Sequence, residues 1–168
     1  TPLNSGITKL IVEDVLFSGD TASTGLTYGV VFDGVSDSAV QRCYFERMVG
    51  NGATRAIDLL NNSNRNLIAD NVSEFTGSNG FFHIALKTGN QYNRILRNAL
   101  TGGNSTGSSG GSAILLSGAT ADSNITMGNI ISSNTIKSYS GGSTEALEAG
   151  IEVGGKCQFN IISNNYIE

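Results

Sequence analysis

Apolar residues in this chain come in short bursts, and one arrangement keeps returning: apolar residues, polar ones, an Asn-like position, any residue, then an apolar residue. It is clearest in Arg94-Ile95-Leu96-Arg97-Asn98-Ala99-Leu100, Ile130-Ile131-Ser132-Ser133-Asn134-Thr135-Ile136 and Ile161-Ile162-Ser163-Asn164-Asn165-Tyr166-Ile167. Aligning the Asn-like position gives Val15, Cys43, Asn71, Asn98, Asn134 and Asn165, at intervals of 28, 28, 27, 36 and 31 residues. Between these copies falls a second run, usually opened by a small residue: Gly29-Val30-Val31-Phe32, Ala56-Ile57-Asp58-Leu59, His83-Ile84-Ala85-Leu86, Ala113-Ile114-Leu115-Leu116 and Gly150-Ile151-Glu152-Val153. Alternation with period two turns Val30/Phe32, Ile57/Leu59, Ile84/Leu86, Ile114/Leu116 and Ile151/Val153 inward. No stretch shows helical spacing. Each turn thus supplies strands that cannot bury their apolar faces alone, so the turns must stack. The pattern predicts an all-β solenoid of about six coils, one domain over residues 1–168.

Asn suits the corner between strands for two reasons. It tolerates left-handed backbone angles, and its amide both donates and accepts, so stacked copies can bond to one another and to the turn backbone. Asn66, Asn93, Asn129 and Asn160, five residues earlier, form a second column that does the same at the preceding corner. In the fifth copy either Asn129 or Asn134 fits the ladder; the match of Asn129-to-Ile136 with Asn160-to-Ile167 favours Asn134.

Composition narrows the function. A net charge of −4 excludes non-specific nucleic-acid binding, which needs a basic face. No apolar run nears the roughly 20 residues that span a bilayer, so no membrane partner is expected. Cys43 and Cys157 lie about four strand spacings of roughly 4.8 Å apart, too far for a disulfide. Two lone thiols make no metal site, and no cofactor motif is present; the glycine-rich residues 101–111 lack the Gly-Lys-Ser/Thr of a phosphate loop. Glu168 follows the apolar Ile167 with no polar cap, so the chain reads as a segment of a longer protein or a module whose ends are covered by partners.

The stacked apolar-Asn-apolar motif and the coil length, over roughly residues 7 to 168, resemble the right-handed parallel β-helix, or pectin-lyase-like, family. That resemblance implies a right-handed parallel β-helix. The family includes polysaccharide lyases, glycoside hydrolases, sugar epimerases and bacteriophage tailspikes, which are generally homotrimers. Ser/Gly/Thr-rich loops and the lack of a family lyase motif look most like a tailspike. The resemblance therefore implies an extracellular or virion protein, a polysaccharide partner, a homotrimer, and glycoside hydrolysis if the chain is an enzyme. A non-catalytic shaft or adhesin and a polysaccharide lyase are the alternatives.

Chemistry is sought on outward columns. Asp14, Arg42, Asp70, Arg97, Ser133 and Asn164 alternate in charge and read as an ion-pair ladder, with Arg97 a candidate for substrate anions. Asp33 and Asp58 fall one coil and two residues apart, a diagonal of about 7–9 Å that suits the acid and base of an inverting glycosidase. Glu148 and Glu152, with Glu145, form a second acidic group over a long insertion. His83, the single histidine, breaks a column of small residues. Tyr92 and Tyr139 are placed to stack on sugar rings, whereas Phe81 and Phe82 are assigned to the core.

Overall fold

A computed structural model, describing residues 6–19, 28–48, 54–75, 81–102, 111–119, 124–137 and 149–168, shows a parallel β-solenoid. The first rung carries β1 (Ile11–Glu13), β2 (Leu16–Ser18) and β3 (Tyr28–Asp33); the second carries β4 (Ala39–Gln41), β5 (Tyr44–Glu46) and β6 (Thr54–Leu60). The third carries β7 (Leu67–Ala69), β8 (Val72–Glu74) and β9 (Phe81–Lys87); the fourth, β10 (Arg94–Leu96), β11 (Ala99–Thr101) and β12 (Ser112–Ser117). The fifth holds β13 (Thr126–Met127), β14 (Ile130–Ser132), β15 (Thr135–Lys137) and β16 (Ala149–Gly154). The last holds β17 (Cys157–Gln158), β18 (Ile161–Ser163) and β19 (Tyr166–Ile167). Equivalent strands pair in parallel: β1-β4-β7-β10-β14-β18 form sheet I, β2-β5-β8-β11-β15-β19 sheet II, and β3-β6-β9-β12-β16 sheet III, with β13 beside β17 on a short fourth side.

The inward columns follow the repeat. In sheet I Val40, Ile68, Ile95 and Ile131 are each 0% exposed, and in sheet III Ile57/Leu59, Ile84/Leu86 and Ile114/Leu116 are buried with them. The expected six coils contract to about four. Sheets I and II have six strands, but the outer rungs are edges whose inward residues keep one side open: Ile162 and Ile167 are 44% and 52% exposed. Only rungs with a neighbour above and below close the interior.

The corners differ from expectation in an instructive way. The left-handed residue is not the Asn but the one before it: Asp14, Arg42, Asp70, Arg97, Ser133 and Asn164 have φ of 57, 52, 58, 54, 60 and 55°. Lys9, Asp37, Arg65, Tyr92, Gly128 and Phe159 do the same at the preceding corner. Each left-handed residue bends the chain from one sheet into the next and turns the following residue, usually Asn, inward. There Asn98 Oδ1 accepts the backbone N–H of Asn71 at 3.0 Å, while its Nδ2 donates to the Ile68 carbonyl and to Asn134 Oδ1, both at 3.0 Å. Asn134 repeats these bonds one rung on, which fixes it as the ladder residue of the fifth copy. Asn66, Asn93, Asn129 and Asn160 form the second ladder. A third column, unseen in the repeat, runs through Ser63 and Asn90. Cys43 and Cys157 are free thiols standing in ladder positions, Cys43 Sγ lying 3.6 Å from the Val12 carbonyl.

Asn98→Leu strands a buried N–H and a buried carbonyl at once, so it should destabilise the stack by roughly 2–4 kcal/mol. Asn165→Leu, on the last rung, should cost far less. Urea unfolding of the two variants checks the contrast.

Candidate functional site

Sheet III has the longest strands, and its outer face concentrates the polar chemistry. The expected outward column is Val31, Asp58, Ala85, Leu115 and Glu152. A second outward column, Tyr28, Arg55, Phe82 and Ser112, lies upstream. Arg55 and Asp58, three residues apart, share this side because alternation breaks at the small residue between them: a Cβ built on Gly29, the Ala56 equivalent, would meet the Phe45 ring at 2.6 Å inside the solenoid. Arg55 Nη1 lies 3.1 Å from Asp58 Oδ2 and donates to Tyr28 Oη at 3.0 Å. Its guanidinium carbon sits 5.6 Å from the Tyr28 ring centre and 5.7 Å from that of Phe82. Lys87 Nζ covers Phe82 at 5.9 Å. Phe82 thus belongs to the outer stack, not to the core.

The electrostatics of this cluster are strained. Asp58 is 1% exposed and Arg55 7%. Among the described residues, Thr54 Oγ1, Arg55 Nε, Asp58 Oδ1 and Ser112 Oγ are buried with no hydrogen-bond partner. Burial pushes the Asp58 carboxyl above the usual carboxylate range, against the pull of Arg55 and Lys87. Burial likewise lowers Lys87, and the Arg55 charge adds to the effect. Asp33, diagonal to Asp58 as the register requires, is exposed and accepts from Asn61 Nδ2 at 2.9 Å. The two carboxyls therefore sit in opposite environments. Asp58 has the raised affinity for protons that a general acid needs, yet it is almost fully buried. Glu152 stands three strands further along the same column, about 14 Å from Asp58. Glu145, Glu148 and Tyr139 fall outside the described residues.

Three other candidates lie elsewhere. Arg97 is held by Asp70 through two bonds of 2.8 and 2.7 Å, which lower the Asp70 carboxyl, and Tyr92 stands 53% exposed at the opposite corner of sheet I. His83 is buried inside. Its Nε2 lies 3.0 Å from the Gly102 carbonyl and its Nδ1 2.8 Å from Ser73 Oγ, with the Phe75 ring edge-on at 4.5 Å. A carbonyl only accepts, so Nε2 carries the proton and Ser73 donates to Nδ1. The pair is a size exchange: Ser73 is small in the column Phe17, Phe45, Leu100, Ile136, and His83 is large in the column Gly29, Ala56, Ala113, Gly150.

Among the described residues no three His, Cys, Asp or Glu side chains group to hold a metal ion. The sequence signal for Arg55 was two opposite charges inside an otherwise apolar strand, Thr54-Arg55-Ala56-Ile57-Asp58-Leu59-Leu60. Comparison with protein-family models, curated proteins and solved structures finds no match.

Two outcomes follow from these environments. Arg55→Leu leaves a buried carboxylate alone and should destabilise by about 3–5 kcal/mol, whereas Arg55→Leu with Asp58→Leu should recover most of that in thermal unfolding. Burial lowers the His83 pKa to about 4 from 6.5. The unfolded chain therefore takes up a proton first, and stability should fall by about 3 kcal/mol as pH drops from 6.5 to 4. His83→Gln should flatten that part of a denaturation series against pH.

Proposed function

We propose that this chain is the polysaccharide-recognition part of a tailspike-like β-helix of the pectin-lyase-like kind, carried on an extracellular or virion protein as a homo-oligomer. The supporting observation is the Tyr28–Arg55–Phe82 stack on the outer face of sheet III. Tyr28 is 42% exposed and its hydroxyl accepts from Arg55, so a flat apolar ring is held at the surface. Sugar rings pack on such faces, and a charged group beside them, here Lys87 over Phe82, bonds to hydroxyls. Binding without cleavage is the favoured form, because Asp58 is sealed and anchors Arg55. Hydrolysis is the second reading. It draws on the raised Asp58 carboxyl diagonal to a solvated Asp33, with Asp58 as acid and Asp33 as base for an attacking water.

Calorimetry against a panel of bacterial surface polysaccharides, with reducing ends and absorbance near 235 nm followed in parallel, tests both. Recognition predicts saturable binding that Tyr28→Ala weakens at least tenfold while circular dichroism is unchanged. New reducing ends that disappear in Asp58→Asn would move the assignment to a hydrolase, and new absorbance to a lyase. No binding to any member would leave a structural shaft.

A further inference from the structure

Five of the six arginines in the chain hold a carboxylate: Arg42 that of Asp14, Arg47 Glu46, Arg55 Asp58, Arg65 Asp37 and Arg97 Asp70. Among the described residues Arg94 is the exception. It lies on the outer face of sheet I, exposed, with Leu67 and Ile130 as its lateral neighbours in the register. On the last three rungs sheet I and its corners, residues 92–97, 128–133 and 159–164, contain no Asp or Glu. A chain of net charge −4 thus keeps one bare guanidinium on an acid-free patch.

Tyr92 stands two residues before Arg94, about 7 Å along the chain. The turn itself needs no ring there. The equivalent corners of the first three rungs carry Lys9, Asp37 and Arg65, and Tyr92 takes a left-handed φ of 58° that bulky side chains rarely adopt. Its ring lies against Gly128 of the next rung, where an added Cβ would come within 2.6 Å of it, so the glycine provides the seat. Tyr92 remains 53% exposed even though its rung has neighbours on both sides. Phe159, one rung beyond Gly128, again sets an exposed ring on a left-handed corner, with φ of 53°. Toward the trailing corner runs a strip of hydroxyls: Ser163 donates to Ser132 at 3.2 Å, and Ser133 lies 3.4 Å from Ser132.

We propose that this half of sheet I, centred on Tyr92 and Arg94, is a second ligand site and takes a sugar that carries a carboxylate. The guanidinium offers a planar fork of donors that matches a carboxylate. The exposed Tyr92 ring receives the apolar side of the sugar. Ser132, one rung and two residues from Arg94 and so about 8 Å away, is within reach of hydroxyls on the same sugar ring. The site rests on the polysaccharide reading for its ligand class but not for its place, since it shares no residue with the Tyr28–Arg55–Phe82 stack.

Calorimetry at low salt with a hyaluronan hexasaccharide and its carboxyl-reduced counterpart tests the assignment. The acidic form should bind at least tenfold more tightly than the reduced one. Arg94→Gln should make the two equal, Arg94→Lys should recover part of the difference, and Tyr92→Ala should weaken both, all with unchanged circular dichroism. Tyr28→Ala separates the two faces. Binding that survives Tyr28→Ala but not Arg94→Gln supports the sheet I site and removes the sheet III one. Binding lost in Tyr28→Ala and untouched by Arg94→Gln overturns the sheet I site and leaves the sheet III reading standing. Equal affinity of the wild type for the two forms, or no binding of either, also overturns the proposal.

Discussion

Parallel strands have no hairpin to set their register, and in this solenoid a buried side-chain amide does that work at every corner. Each ladder Asn accepts the backbone N–H of its counterpart one rung earlier and donates to a strand carbonyl of that rung. A polar group sealed in an apolar interior must be satisfied or it destabilises the fold. A slip by one residue would orphan several such groups at once and turn the apolar column outward. The substitutions in these columns keep the same chemistry in smaller form: Ser38 and Ser63 accept from the preceding rung through hydroxyls, and Cys43 points its thiol at the carbonyl that an Asn would reach.

This division of labour decides where function can reside. Interior columns are mostly apolar or amide, and ion pairs along the stack occupy sheet I corners of the first four rungs. The outer face of sheet III is where the described structure leaves polar atoms without partners and places rings beside a guanidinium. A solenoid can carry such a face because its register is secured from inside. The outer surface then varies from rung to rung without altering the backbone, as the change from Asp58 to Ala85 to Leu115 along one column illustrates.

The repeat made the fold legible because stacking multiplies a weak local signal. One Asn before an apolar residue means little, but its return through Asn71, Asn98, Asn134 and Asn165 defined strands, register and inward faces. What the repeat hid was conformational. Left-handed geometry was assigned to Asn on its intrinsic tolerance, whereas the chain places Asp, Arg and even Tyr there, because the next residue must point inward and bond. The number of closed turns was also overestimated, since sequence periodicity counts edge rungs equally with interior ones. At the candidate site, Asp33 and Asp58 were legible as a diagonal pair. Burial of one and exposure of the other was not, because it depends on the break in alternation at Ala56 and on Arg55. His83 was legible as an exception to its column, but its compensation by Ser73 lies in a different strand and rung position that the repeat alignment does not connect.

If side-chain amides hold the rungs in place, amide hydrogen exchange should register it at the corner backbone. The backbone N–H groups of Cys43, Asn71, Asn98 and Asn134 donate only to side-chain oxygens of the next rung. They should exchange as slowly as the strand amides of the interior, through opening of the whole stack. If they instead exchange as fast as amides of the outermost rungs, the ladders are passengers on a stack held by its apolar columns alone.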